Sequence, residues 1–222
     1  MTASNGCEIR NLHVTGTITT NRPYAAGFIT YVNGSSSTNP NYTVVIENCR
    51  SSVKIISSVT GDATSAGFVA IGRYYLNLTL KNCLFDGSFV SENGENFSGL
   101  VGYQHNNIAD SSILTISDCA VIPGVETSER LKTETGSMTF LRGDNTLVPV
   151  FEGTVLYTSV LGNQDAGKAA SKAYLSQADA ATAPDAACGT IKTVTIAGQP
   201  LYYVADVSPL PVSFLTIDLA QV

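Results

Sequence analysis

The groups in this chain that could do chemistry are five cysteines, two histidines and a set of acidic side chains spread over 222 residues. The cysteines stand at 7, 49, 83, 119 and 188. None forms a Cys-x-x-Cys pair, and His13 and His105 do not fall at zinc-ligand spacing from them, so no metal site is expected. A hydroxyl nucleophile would need a histidine with partners, and neither histidine has neighbours in sequence that supply them. We expect both on the surface. Glycoside cleavage needs two carboxyl groups about 5–10 Å apart in a groove. Asp62, Asp86, Glu92, Glu95, Asp110, Glu126, Glu129 and Glu134 are the candidates. Of these, Glu92, Glu95 and Glu126 fall in equivalent segments and form the catalytic alternative; the competing reading is solvated loop charge. Tyrosines offer rigid area with a polar tip, which suits sugar or protein binding. Tyr74, Tyr75 and Tyr103 are the candidate binding residues.

The elements that position these groups follow from a repeat. Ile46-Glu47-Asn48-Cys49, Leu80-Lys81-Asn82-Cys83 and Ile116-Ser117-Asp118-Cys119 are close copies, and Ile9-Arg10-Asn11-Leu12 is a fourth with Leu for Cys. Their last positions, 12, 49, 83 and 119, are separated by 37, 34 and 36 residues. A period of that length marks a repeat architecture. Around each Asn or Asp, apolar and polar residues alternate, which is the period of a half-buried strand. Asn11, Asn48, Asn82 and Asp118 are read as corners, because Asn and Asp tolerate the left-handed backbone and bond nearby peptide groups. Cys49, Cys83 and Cys119 then share one inward column and are read as free, buried thiols, since stacked parallel side chains suit disulfide geometry poorly. A second signature follows each corner: Gly27-Phe28, Gly67-Phe68, Gly99-Leu100 and, more loosely, Ser137-Met138. Phe28, Phe68, Leu100 and Met138 are expected to point inward.

The expected fold is all-β, a β-solenoid of about four repeat coils over residues 7–143. Residues 144–222 are expected to form a C-terminal β/α capping segment or a small α+β subdomain. Within them, Gln164 to Ala180 reads as an Ala-rich helix burying Ala169, Ala173, Leu175 and Ala178. Thr190 to Ile196 and Leu201 to Val207 read as a hairpin, and Ser213 to Leu219 as a last strand.

Asn82-Cys83, Gly87 and Ser98-Gly99-Leu100-Val101-Gly102-Tyr103 resemble the GLUG-type repeat of bacterial surface and secreted proteins. The resemblance covers roughly residues 7–143 and is weakest in the copy at Asp118. It implies a right-handed parallel β-helix at the cell surface, and it brings no catalytic residues with it.

Composition narrows the partners. Charged residues are only 14% of the chain and the net charge is −6. No Lys/Arg cluster is present to neutralise phosphates, so neither nucleic acid nor an anionic membrane surface is an expected partner. No apolar run is long enough to insert in a bilayer. Entry into the first copy at Cys7 reads as an excised fragment with a start Met added, and the module is expected to be a monomer or part of a longer multidomain chain. The expected function is a non-enzymatic, extracellular or cell-surface module for adhesion, for binding a glycan or protein partner, or for spacing, with no cofactor. The alternative is a polysaccharide-degrading hydrolase or lyase using the loop carboxylates.

Overall fold

The structure, a computed structural model, describes residues 6–34, 42–59, 64–73, 76–91, 96–104, 112–129, 131, 140–141, 147–158 and 170–208. The chain winds into a β-solenoid of about three turns. The first turn runs through β1 (Cys7–Arg10), β2 (His13–Thr20), β3 (Tyr24–Ala26) and β4 (Ile29–Asn33). The second follows the same path through β5 (Tyr42–Glu47), β6 (Arg50–Ser57), β7 (Thr64–Ala66) and β8 (Val69–Arg73). The third comprises β9 (Leu76–Lys81), β10 (Leu84–Phe85), β11 (Ser88–Ser91), β12 (Asn96–Ser98) and β13 (Val101–Gln104). Beyond it lie β14 (Ile113–Ser117), β15 (Ala120–Val121), β16 (Val150–Glu152), β17 (Leu156–Tyr157) and β18 (Ser171–Tyr174). A short helix α1 (Gln177–Ala181) and an antiparallel hairpin, β19 (Thr190–Ile196) and β20 (Gln199–Ala205), complete the described chain.

Stacking is parallel and like on like. One sheet has the order β1-β5-β9-β14-β16, and two three-stranded sheets have the orders β3-β7-β12 and β4-β8-β13. The long sheet contains β2, β6, β10, β11, β15, β17 and β18, with β20 and β19 joined antiparallel at its far edge. Register is column-true: Ile9 pairs Ile46, Ile46 pairs Leu80, and Leu80 pairs Ile116. The inward column is therefore apolar at every level, and Ile46, Leu80 and Ile116 are fully buried. Each such side chain contributes roughly 1.5–3 kcal/mol through burial. Phe68 and Leu100 are buried in the same core, with Phe28 packed against it. The Phe28 and Phe68 rings stack at 4.8 Å between centroids. Met138 lies outside the described residues.

The turn between the first two sheets is made at one residue. Asn11, Asn48, Asn82 and Asp118 have φ of 56°, 53°, 49° and 50°. A β-branched or bulky side chain would be strained there. Asn is accommodated, and its amide does further work: Asn48 Nδ2 donates to Asn11 Oδ1 at 2.6 Å, and Asn82 Nδ2 donates to Asn48 Oδ1 at 3.0 Å. Glycines serve close approach elsewhere. A Cβ on Gly87 would meet the carbonyl oxygen of Val53 in the coil before it.

Parallel pairing continues past the last Asn/Asp corner. Ser117 pairs Glu152, and Ala120 pairs Leu156. Gly153 turns this corner at φ 62°, and Thr154 N donates to Asp118 Oδ1 at 2.9 Å. One extra residue is present here, so Val155 takes the buried place that Cys119 holds one level before. Glycine in place of Asn/Asp, with the one-residue insertion, hid this copy from the repeat alignment.

The helix expected over Gln164 to Ala180 is corrected. Residues 171–174 are extended, with Leu156 and Tyr157 pairing Ser171 and Lys172. Residues 164–169, Ala169 among them, lie outside the described residues; in the described part helix is confined to Gln177–Ala181, after Ser176, whose hydroxyl accepts from Asp179 N at 3.1 Å as an N-cap. Ala173 is buried from a strand, while Leu175 is 56% exposed. Local Ala content favoured helix, but a free parallel edge at β17 took the segment as a strand. The hairpin forms at the expected place. It packs on the outward side of the long sheet, where Leu84, Ala120 and Leu156 meet Ala173, Ile196 and Leu201 in a second apolar cluster. The strand expected at Ser213 to Leu219 lies outside the described residues.

Candidate functional site on the outer face of the long sheet

Two outward columns of this sheet carry the polar groups. His13 is in register with Arg50, and Arg50 with Leu84; Thr15 is in register with Ser52, one residue beyond the Phe85–Ser51 pair that brings Asp86 alongside. Alternation sends Val14 and Ile18, and Val53 and Ile55, to the core, so His13, Arg50, Ser52 and Lys54 face outward. Three coils thus supply one connected cluster. His13 Nε2 lies 2.8 Å from Ser52 Oγ, and Ser52 Oγ donates to Asp86 Oδ1 at 2.5 Å. Arg50 Nε donates to Asp86 Oδ2 at 3.0 Å, and Arg50 Nη2 donates to the same oxygen. Beside it, Lys54 Nζ pairs with Glu126 Oε1 at 3.0 Å.

Histidine, serine and aspartate together suggest nucleophilic catalysis, but the order of the bonds does not. An activated serine gives its proton to histidine, and aspartate orients the histidine from behind. Here serine stands in the middle. A hydroxyl has one proton, and it points at a carboxylate that can only accept. Ser52 therefore accepts from His13, whose Nε2 carries the hydrogen in this arrangement. Asp86 is turned towards Arg50 and Ser52 and takes no part in orienting the imidazole. The bonds tie three successive coils together along their outer edge.

The residues singled out from sequence fall as follows. Glu126 is exposed and engaged by Lys54. Glu92, Glu95, Tyr74 and Tyr75 lie outside the described residues, as do Asp62, Asp110, Glu134 and His105. Tyr103 is half-buried in β13 and is in register with Ile71, which is in register with Tyr31. Arg73 Cζ lies 5.6 Å from the centre of the Tyr31 ring, a cation–π distance. Tyr31, Arg73 and Tyr103 thus belong to neighbouring positions of one three-stranded sheet.

Cys49, Cys83 and Cys119 are fully buried and unbridged. Each thiol lies within bonding distance of two carbonyl oxygens, two residues back and in the preceding coil. For Cys83 these are Lys81 O at 3.3 Å and Ile46 O at 3.2 Å; for Cys119 they are Ser117 O at 3.2 Å and Leu80 O at 3.4 Å. Cysteine is small enough for the place after the corner and carries a weak donor for a carbonyl there. Burial pushes the thiols of Cys119 and Cys49 up from their usual range, so they stay protonated and unreactive. Among the described residues, no group of three His, Cys, Asp or Glu side chains is arranged to hold a metal ion. Leu12 occupies the corresponding place in the first coil and is 46% exposed.

His13 has no partner within its own stretch of sequence, so the outer-face cluster is not evident from local sequence. The signal was present. In the alignment on the corner, His13 and Arg50 both stand two residues after it, and Ser52 and Asp86 both stand four after it.

Comparison with protein-family models, with characterised protein sequences and with solved structures returns no match.

Proposed function

We propose that this chain is a non-enzymatic β-solenoid module of the GLUG-repeat type, working outside the cell or at its surface and binding a glycan or protein partner. The coil is read as right-handed, with four Asn/Asp-cornered copies, the Gly153-cornered copy stacked on the last of them, and the rest of residues 144–222 as its C-terminal cap. One observation carries the non-enzymatic reading. On the outer face of the long sheet, two acidic groups among the described residues are held by cations within the solenoid, Asp86 by Arg50 and Glu126 by Lys54, and the Ser52 proton is directed to Asp86. General acid–base work needs a group able to gain or lose a proton at the substrate. The sheet containing Tyr31, Arg73 and Tyr103 offers instead an aromatic and polar surface of the sort that sugars and proteins bind. The low charge and the absence of a basic cluster count against nucleic acid and anionic membranes as partners.

The test is a glycan array with the intact chain, followed by Tyr103→Ala and Tyr74→Ala, together with reducing-end and unsaturated-product assays on a broad polysaccharide panel. Binding that falls about tenfold in a tyrosine variant of unchanged melting temperature, without product release, is the expected result. Product release abolished by Glu95→Gln or Glu126→Gln would overturn it in favour of a polysaccharide-cleaving enzyme.

A further inference from the structure

The outward column of the long sheet changes character along the solenoid axis. Its first two levels are polar, His13 in register with Arg50. It then continues as Leu84, Ala120, Leu156 and Ser171. Leu84, Ala120 and Leu156 are fully buried although they face away from the core. Their cover is the chain's own hairpin: Ile196 and Leu201 pack on them, with Val194, Ala197 and Tyr203 beside.

The hairpin does not stack as one more level. It is rooted at β18, where Ala173 pairs Tyr203, and its tip returns to the third level, where Ala197 N–H donates to Asn82 Oδ1 at 3.0 Å. That path passes β17 and β15 and crosses three strand spacings, about 14 Å. The chain from Tyr203 back to Ala197 reaches about 20 Å when extended, which is enough. At the tip, Ala197 and Gly198 have φ of 44° and 85°, a two-residue turn between the paired Ile196 and Gln199. Asn or Gly is the usual residue at such a φ. Here alanine packs on the apolar cluster while its N–H meets Asn82.

In a solenoid each level contacts only the levels on either side, so a stack can open one level at a time. We propose that the hairpin is an axial strap that abolishes this peeling. It links β18 directly to the level of Asn82 and Leu84, so β10, β15, β17 and β18 open as one unit. Opening β18 alone would strip the strap from Leu84 and leave the Asn82 oxygen without its donor. The polar cluster continues the same seam over the preceding levels: His13, Ser52 and Arg50 are tied to Asp86, two residues from Leu84. A module tied along one face in this way keeps its stack under tension along the axis. This holds whatever the lateral face binds.

Native-state hydrogen exchange of the intact chain, in urea below the unfolding midpoint, tests this. Three amides report successive levels: Leu84 N–H bonds Cys49 O, Ala120 N–H bonds Cys83 O, and Leu156 N–H bonds Cys119 O. In the wild type all three should exchange with one free energy and one urea slope, the mark of a single opening. Ile196→Thr loosens the strap at its tip, and Leu201→Thr loosens it along its length. In each, Leu156 should exchange at least about tenfold faster than Leu84, with a smaller urea slope. Val53→Ala is the control: it weakens the core away from the strap and should speed all three alike. Leu156 exchanging ahead of Leu84 in the wild type would overturn the proposal. So would strap variants that speed all three amides equally, as Val53→Ala does.

Discussion

Ala197 and Asn82 are 115 residues apart in sequence, yet the Ala197 peptide N–H donates to the Asn82 side-chain oxygen at 3.0 Å. The reason lies one coil further on. The next corner is Asp118, a carboxylate that cannot donate to Asn82 as Asn82 donates to Asn48. Two backbone N–H groups supply what is lacking: Ala197 to Asn82, and Thr154 to Asp118 Oδ1. The hairpin is thereby joined to the solenoid by a polar bond as well as by the apolar cluster around Leu84 and Ile196.

Asn82→Leu should therefore destabilise the chain by about 2–5 kcal/mol. It loses two hydrogen bonds of roughly 0.5–1.5 kcal/mol each and places a branched side chain at φ 49°, which costs about 1–2 kcal/mol more. Asn82→Gly should cost less, because it removes the bonds without the strain. Urea denaturation of both variants checks the order; equal losses would remove the corner argument.

Gly87→Ala should destabilise by at least about 1–3 kcal/mol, since the added carbon meets Val53 O and the Phe85 ring at the coil–coil spacing. Gly16→Ala is the comparison: nothing lies near its added carbon, and only its φ of 118° is penalised. Thermal melts of the two should separate packing from backbone strain.

Asp86→Ala should cost about 1–2 kcal/mol, because it leaves the partly buried Arg50 without its carboxylate and Ser52 without its acceptor. Ser52→Ala and His13→Ala should each cost under about 1 kcal/mol, as exposed polar bonds do. Were Ser52 or His13 to remove a measurable turnover while leaving stability intact, the cluster would be catalytic after all.

The buried thiols give a pH dependence. The folded state holds the Cys119 and Cys49 protons more tightly than the unfolded chain does, because burial disfavours the thiolate. Above about pH 9 the unfolded chain loses these protons first, so stability should fall as pH rises, by up to about 1.4 kcal/mol per pH unit for each thiol. Below that range the thiols are protonated in both states and contribute no slope. Cys119→Ala should flatten the decline measured by urea melts between pH 8 and 10, whatever it does to stability at neutral pH. In the native protein a thiol reagent should find Cys7 and Cys188 quickly, and Cys49, Cys83 and Cys119 only on unfolding.

Much of the architecture is local chemistry and was open to reading from residues. Alternation from Val44 to Ile46 and from Val53 to Ile55 states which side is dry. Asn at 11, 48 and 82 states where the chain turns, because few side chains accept that backbone. The copy at Gly153 was hidden because glycine accepts the same backbone without resembling Asn. The strand at Ser171 to Tyr174 was hidden because its extended form is imposed by the β17 edge rather than by its own residues.

By itself, then, the sequence determined the period, the corners and the inward columns, since each depends on residues a few positions apart. The tertiary structure alone decided which outward residues meet. Leu84 and Ala120 are buried on an outward face only because the hairpin folds back over them. His13, Arg50, Ser52 and Asp86 form one cluster only because stacking brings residues 34 to 39 positions apart side by side, at the register that the variable loops permit. Periodicity says which side of a strand a residue faces; what it meets there depends on the register and docking of segments distant in the chain.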